Sequence, residues 1–242
     1  MAGERFGFEV SITGGAGEVE ALVRSDGTSV GALFGPTMES VSLVDETGRV
    51  IAGAALHALL IRALLEARPG STVVVPANFP GYAEDLARIL GGRVVRSKTS
   101  VPALMSKMLE HSVKSGSQQF RVWFDGLDCF LALLEWRGRS GATFAELSET
   151  APRAIVASRT VHCPWEAKGR VMRTLVTSLP HDDGVPEGVR MRQERGWSLV
   201  LPDEDEPSYH VYAEAASMEV AEEIADSFAR KVTELRDSPD GR

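Results

Sequence analysis

The chain has 242 residues, 43% of them hydrophobic and 25% charged, enough for one large domain or two of roughly 100–150 residues without disulfide or metal staples. That composition excludes a disordered, collagen-like or coiled-coil chain. Lys plus Arg is 26 against Asp plus Glu 34, a net charge of −8, which argues against nucleic acid or an anionic membrane as the main partner.

In chain order, residues 6–12 alternate apolar and polar like a strand, and the turn Thr13-Gly-Gly-Ala-Gly17 leads into a short helix over 18–24. Residues 30–34 predict a second strand, ended by Gly35-Pro36. Extended structure resumes over 41–44, and the turn Asp45-Glu-Thr-Gly48 before Val50-Ile51 is hairpin-like. Residues 54–67 carry Leu56, Leu59, Leu60, Ala63 and Leu64 at helical spacing and stop at Arg68-Pro69-Gly70. The β-branched run 72–75 predicts a buried parallel strand, followed by a helix over 82–90, a strand at 94–95 and a helix over 103–113. Residues 120–124 read as extended and 127–136 as an apolar helix. This alternation over 50–137 predicts a mixed or parallel sheet covered by helices.

Beyond residue 141 the pattern changes. Thr143 and Glu146 have capping-box spacing for a short helix closed by Pro152. Residues 155–163 read as a strand, 165–179 as a helix, and 189–191, 197–201 and 209–213 as three successive strands. Ser217 caps an amphipathic helix to about residue 235, with Val220, Ile224, Phe228 and Val232 on one face. The fold class expected is α/β with a mixed sheet, followed by a small α+β domain.

Cys129 and Cys163 match no zinc or redox spacing and read as reduced thiols. No apolar run reaches the roughly 20 residues of a membrane span, and Met1 to Phe6 carry no basic-then-apolar signal. A cytoplasmic protein is expected. The five histidines show no HxxxH or HExxH pairing, and His210 with Tyr212 reads as the solvated face of a strand whose other face carries Tyr209 and Val211.

Several phrases in this order resemble the phosphohexomutase family. They are Leu43-Val-Asp-Glu-Thr-Gly-Arg-Val-Ile-Ala-Gly53, Gly91-Gly-Arg-Val-Val-Arg-Ser-Lys-Thr99, Phe124-Asp-Gly-Leu with Leu133-Leu-Glu135, Gly188-Val-Arg190, Gly196-Trp-Ser-Leu-Val200 and Val211-Tyr-Ala-Glu-Ala215. The resemblance is to that family's third and fourth domains, as in the phosphomannomutase-like region fused to mannose-1-phosphate guanylyltransferases. It implies a remnant of the second domain over 1–34, a third domain over 35–150 and a fourth over 151–242.

The resemblance also implies four working parts for moving phosphate between the 1- and 6-positions of a hexose. No phosphoserine phrase is present, and Ser11 and Ser25 have no neighbouring His or basic cluster to activate them. The magnesium loop, which needs converging carboxylates, aligns with Gly35-Pro-Thr-Met-Glu-Ser40, where Glu39 alone remains; Asp45 and Glu46 read as solvated turn residues. No metal or other cofactor is therefore expected. The sugar loop aligns with Lys114-Ser-Gly-Ser-Gln-Gln-Phe120, leaving Gln118 and Gln119 as hydrogen-bonding groups. Arg96, Lys98 and Thr99 stand where the family places substrate contacts and are the candidate substrate-binding residues. The phosphate loop aligns with Leu201-Pro202-Asp203-Glu204-Asp205-Glu206-Pro207, in which leucine replaces arginine and acids replace hydroxyls. Two like charges about 4 Å apart repel by roughly 4 kcal/mol at an effective dielectric near 20, so four adjacent acids oppose a phosphate.

The expectation is a phosphomannomutase-like module of sugar-nucleotide supply that is inactive by itself and regulates or scaffolds. Its partner would be a protein, a nucleotidyltransferase first, or a second copy of itself, with weak sugar-phosphate binding at most. The alternatives are a half-enzyme completed by another chain and a stretch of a longer fusion protein.

Overall fold

A computed structural model describes residues 15–27, 29–115, 118–179 and 185–238. The predicted strand over 6–12 and His181 lie outside the described residues. The chain divides into two compact units, Met1–Ala63 with Arg121–Ala151, and Leu64–Phe120 with Pro152–Arg242.

The first unit is built on a three-stranded antiparallel sheet in the order β1 (Gly31–Phe34), β2 (Val41–Val44), β3 (Val50–Ile51). Helix α1 (Ala16–Asp26) precedes it, and α2 (Gly53–Ala67) follows, with Leu59, Leu60 and Ile61 almost fully buried. The apolar spacing predicted α1 and α2 to within two residues at each end.

Two carboxylates in the β2–β3 turn correct the sequence reading, for neither is solvated. Asp45 is fully buried and Glu46 is 8% exposed. Asp45 Oδ1 accepts hydrogen bonds from Thr47 N, Thr47 Oγ1 and Arg49 N at 2.6–3.0 Å, and Oδ2 accepts from Arg49 Nε. Burial raises the Asp45 pKa, but the Thr47 hydroxyl, these backbone N–H groups and the Arg49 charge outweigh it and hold it below the ordinary value.

Glu46 reaches in the other direction. It accepts from Arg137 Nε at 2.8 Å and from the N–H groups of Phe144 and Ala145 at 3.1 Å. It thereby links the turn to α6 (Gly126–Ser140) and to the first turn of α7 (Phe144–Glu149). The predicted capping box of Thr143 and Glu146 is present on the same helix. Asp125 caps α6 through Leu127 N and Asp128 N. Gly126 follows because a Cβ there would stand 2.8 Å from both Met38 O and Ser40 O.

In the second unit β4 (Thr72–Pro76) and β5 (Arg93–Ser97) pair in parallel, with α3 (Tyr82–Ile89) as their crossover and α4 (Val101–Ser115) after them. Residues 120–124, expected to be extended, are instead helical, in α5 (Gln119–Phe124). Val74 shows the physical reason. Its N–H donates to Gln119 Oε1 at 2.8 Å and its carbonyl accepts from Gln119 Nε2 at 2.7 Å, so a buried side-chain amide takes the place of a neighbouring strand. Gln119 is 2% exposed, a correction to its reading as a sugar contact.

The same unit carries a four-stranded antiparallel sheet in the order β6 (Ile155–His162), β9 (Ser208–Ala215), β8 (Gly196–Pro202), β7 (Val189–Gln193). Helices α8 (Trp165–Ser178) and α9 (Met218–Asp237) cover one face through Val161, Val171, Leu175, Val200, Tyr209, Val211 and Val232. Ala157, Ala213, Ala221 and Ala225 form a second, small-residue cluster. The helix–meander–helix order is the one the sequence predicted. No described helix is long and apolar enough to cross a membrane.

Glu46→Ala should therefore lower stability by about 2–4 kcal/mol in urea unfolding, because Arg137 and two helix N–H groups lose their acceptor, whereas Glu46→Gln should cost less.

Candidate functional site

The opposite face of the four-stranded sheet meets the segment following β4. Ala77 packs with Leu199 and Leu201, flanked by Val185, Trp197 and Tyr212. Strand alternation sends Val200 and Val211 to the helix side and Trp197, Leu199, Leu201 and Tyr212 to the other.

Arg96, on β5, fixes that segment. Its guanidinium donates to Glu84 through Nε at 2.8 Å and Nη2 at 2.9 Å, and through Nη1 to the carbonyls of Pro76, Ala77 and Phe79 at 3.3, 2.9 and 2.8 Å. The side chain is only 5% exposed. A planar donor fork matches both a bidentate carboxylate and converging carbonyls.

Gly81 N, at the end of the same segment, donates to Glu214 Oε2 at 2.8 Å, and Trp197 Nε1 donates to the same oxygen at 2.9 Å. Burial, with the Glu214 charge adding to it, pushes the pKa of the adjacent Tyr82 well above its ordinary value. The Arg190 guanidinium lies 4.4 Å from the Trp197 ring centre.

The three candidate substrate contacts are thus placed differently. Arg96 is committed to Glu84 and the backbone. Lys98 is exposed at the end of β5. Thr99 N donates to Glu187 Oε1, so a carboxylate of this chain already sits on that N–H.

The Gly35–Ser40 loop is a tight connection between β1 and β2, with Gly35 N bonded to Ser40 O and Met38 O bonded to Gly126 N. Met38 is the non-glycine residue with positive φ among those described, at 62°. The one carboxylate, Glu39, accepts from Thr37 Oγ1 at 3.1 Å. One carboxylate, a proline and a methionine do not supply the oxygen set a hard cation requires. Among the described residues no three His, Cys, Asp or Glu side chains converge as metal ligands. The loop does not fit magnesium.

The Leu201–Pro207 stretch is likewise bonded internally. Leu201 is 5% exposed, in the cluster with Ala77 and Leu199. Asp203 Oδ1 accepts from Asp205 N and Glu206 N at 2.8 Å, and Oδ2 lies 2.7 Å from His210 Nε2. Lys168 Nζ donates to the carbonyls of Asp203 and Glu206. Glu204, Asp205 and Glu206 point their exposed side chains to solvent. The hydrogen bonds from His210, Asp205 and Glu206 bring the Asp203 carboxyl down to about 2.

Sequence reading missed Glu214, Glu187 and the Asp203–His210 contact. The last had a signal: Pro202 pairs with Tyr209 and Leu201 with His210, so residues seven apart at a hairpin end are neighbours.

The comparisons with known proteins bear on the resemblance to sugar-phosphate mutases. The chain matches no protein-family model. A protein described as a probable phosphoglucosamine mutase from Methanopyrus kandleri is 29% identical over 230 residues, covering 89% of this chain and 51% of that one. A phosphoglucomutase/phosphomannomutase family protein from Burkholderia thailandensis superposes with TM-score 0.70 at 19% identity, over 92% of this chain and 50% of that one. An Aspergillus fumigatus N-acetylphosphoglucosamine mutase, solved with GlcNAc-6P and magnesium, gives TM-score 0.58 at 15% identity over 92% and 53%. The chain therefore has homologues in the phosphoglucosamine mutase and phosphoglucomutase/phosphomannomutase group and shares their mixed α/β fold. It spans about half the length of the curated relatives it matches.

Arg96→Met should release the segment after β4. Amide exchange at Ala77 to Gly81 should rise at least tenfold and stability fall by about 2–3 kcal/mol, since three carbonyls and Glu84 lose their donor. Unchanged exchange would show that another group holds the segment.

Proposed function

We propose that this chain is a phosphohexomutase-derived module of sugar-nucleotide metabolism that does not catalyse phosphate transfer by itself and acts in the cytoplasm through contact with a protein partner. Residues 35–150 correspond in this reading to the family's third domain and 151–242 to its fourth, with a second-domain remnant over 1–34. The observation that carries it is the state of the aligned loops. Leu201 is buried in an apolar cluster, Asp203 is bonded within its own loop, Arg96 is committed to Glu84 and three carbonyls, and Glu39 is a single carboxylate. Phosphoryl transfer needs opposite charge arranged around the phosphate, and these loops present acids and apolar groups instead.

The partner is a protein, with a nucleotidyltransferase as the first to try, or a second copy of the chain. No nucleic acid or membrane partner is proposed, in keeping with the net charge of −8. A second reading, a half-enzyme completed by another chain, is favoured by one fact: the relatives are about twice as long as this chain. In that reading the missing chain supplies the phosphate-accepting group and the metal ligands.

The purified chain should not interconvert mannose 6-phosphate and mannose 1-phosphate, nor the corresponding glucosamine phosphates, above the uncatalysed rate in the presence of Mg²⁺. Turnover at the rate of an ordinary mutase would overturn the non-catalytic reading. Turnover that appears only on adding a second chain would establish the half-enzyme.

A further inference from the structure

A hydroxyl, an imidazole and a carboxylate stand in series on the sheet face away from α8 and α9. Thr160 of β6 is directly opposite His210 of β9, and its Oγ1 is 3.3 Å from His210 Nδ1. The other ring nitrogen, Nε2, is 2.7 Å from Asp203 Oδ2. Asp203 cannot swing freely, because its second oxygen holds the N–H groups of Asp205 and Glu206 at 2.8 Å.

The protons can be assigned from these contacts. An ionised carboxylate only accepts, so Nε2 carries the hydrogen that faces Asp203. In the neutral imidazole Nδ1 then presents its lone pair to Thr160, whose hydroxyl donates. This is the arrangement in which a base, oriented by a third group, raises the nucleophilicity of a hydroxyl. The order of exposure suits a reaction with a molecule from solvent: Thr160 is exposed, while the His210 and Asp203 side chains are 32% and 21% exposed.

Charge selects the electrophile. Glu204, Asp205 and Glu206 follow Asp203 directly with exposed side chains, and they repel a phosphate dianion approaching this corner of the sheet. A neutral, activated carboxylic ester meets no such barrier. The geometry points to Thr160 as an acyl-acceptor site, activated by His210 and oriented through Asp203. In the step, Thr160 Oγ1 forms a bond to the acyl carbon and the bond from that carbon to the leaving alcohol breaks. The hydroxyl proton passes to His210 Nδ1 and from there to the departing alkoxide. The product is an O-acyl threonine and one free alcohol, with no change in oxidation state. The inference is independent of the sugar-phosphate reading.

The test is reaction of the full chain with p-nitrophenyl acetate, following nitrophenolate release and mapping the acetylated peptide by mass spectrometry. Expected is a burst approaching one equivalent per chain above that of Thr160→Val, with the acetyl group on Thr160. Thr160→Ser should retain the burst. His210→Gln should slow it by about a hundredfold, the low end of what a positioned base contributes, and Asp203→Asn should slow it less. Melting curves confirm that each variant is folded, and Thr160→Ser keeps the result interpretable if Thr160→Val is not. Equal release from wild type and Thr160→Val, or acetyl groups found on lysines alone, would reduce the trio to a cross-strand decoration and overturn the assignment.

Discussion

One guanidinium organises the second unit. Arg96 receives Glu84 on one edge and gathers three backbone carbonyls on the other, which converts the segment after β4 from a loop into a fixed element. That segment then carries Ala77 to Leu199 and Leu201 and Gly81 to Glu214. The parallel β4–β5 pair and the four-stranded sheet are thereby joined by both apolar and charge-assisted contacts. An arginine whose Nε, Nη1 and Nη2 all donate to groups of this chain, and whose side chain is 5% exposed, is held by the fold rather than turned toward an incoming anion.

The same economy recurs at the other charged positions. Asp45 and Glu46 are enclosed by a turn and a helix start rather than hydrated. Glu187 occupies Thr99 N, Glu214 occupies Gly81 N and Trp197 Nε1, and Lys168 closes the acidic hairpin end from beneath. Buried or half-buried charge persists in a protein where partners lie within hydrogen-bonding distance. Here those partners come from the chain itself.

Much of the fold was legible because it rests on local rules. The apolar spacing of residues 54–67, the Thr143–Glu146 capping box, the Ser217 cap and the alternation around Tyr209 and Val211 all reappear in the structure. The extended reading of 120–124 failed because one long-range contact decides it. Gln119 pairs with Val74 forty-five residues away, and no window of sequence contains both. Asp45 and Glu46 were misread for the same reason, since a turn composition describes the backbone and says nothing of Arg137 or the start of α7. The candidate site was legible as residue positions but not as roles. Arg96 stood out by its place in a phrase, and its donors turned out to face inward.

The proposal that joins these observations is that Arg96, the Thr99 N–H and Asp203 are engaged within the chain and are therefore not free to hold a sugar phosphate. Calorimetric titration with glucose 1-phosphate and mannose 1-phosphate, with and without Mg²⁺, tests it most directly. The account predicts no binding heat up to millimolar ligand, with or without the cation. Micromolar binding that disappears in Lys98→Ala or Arg96→Met would contradict it, and would mean that the guanidinium exchanges its internal partners for the phosphate.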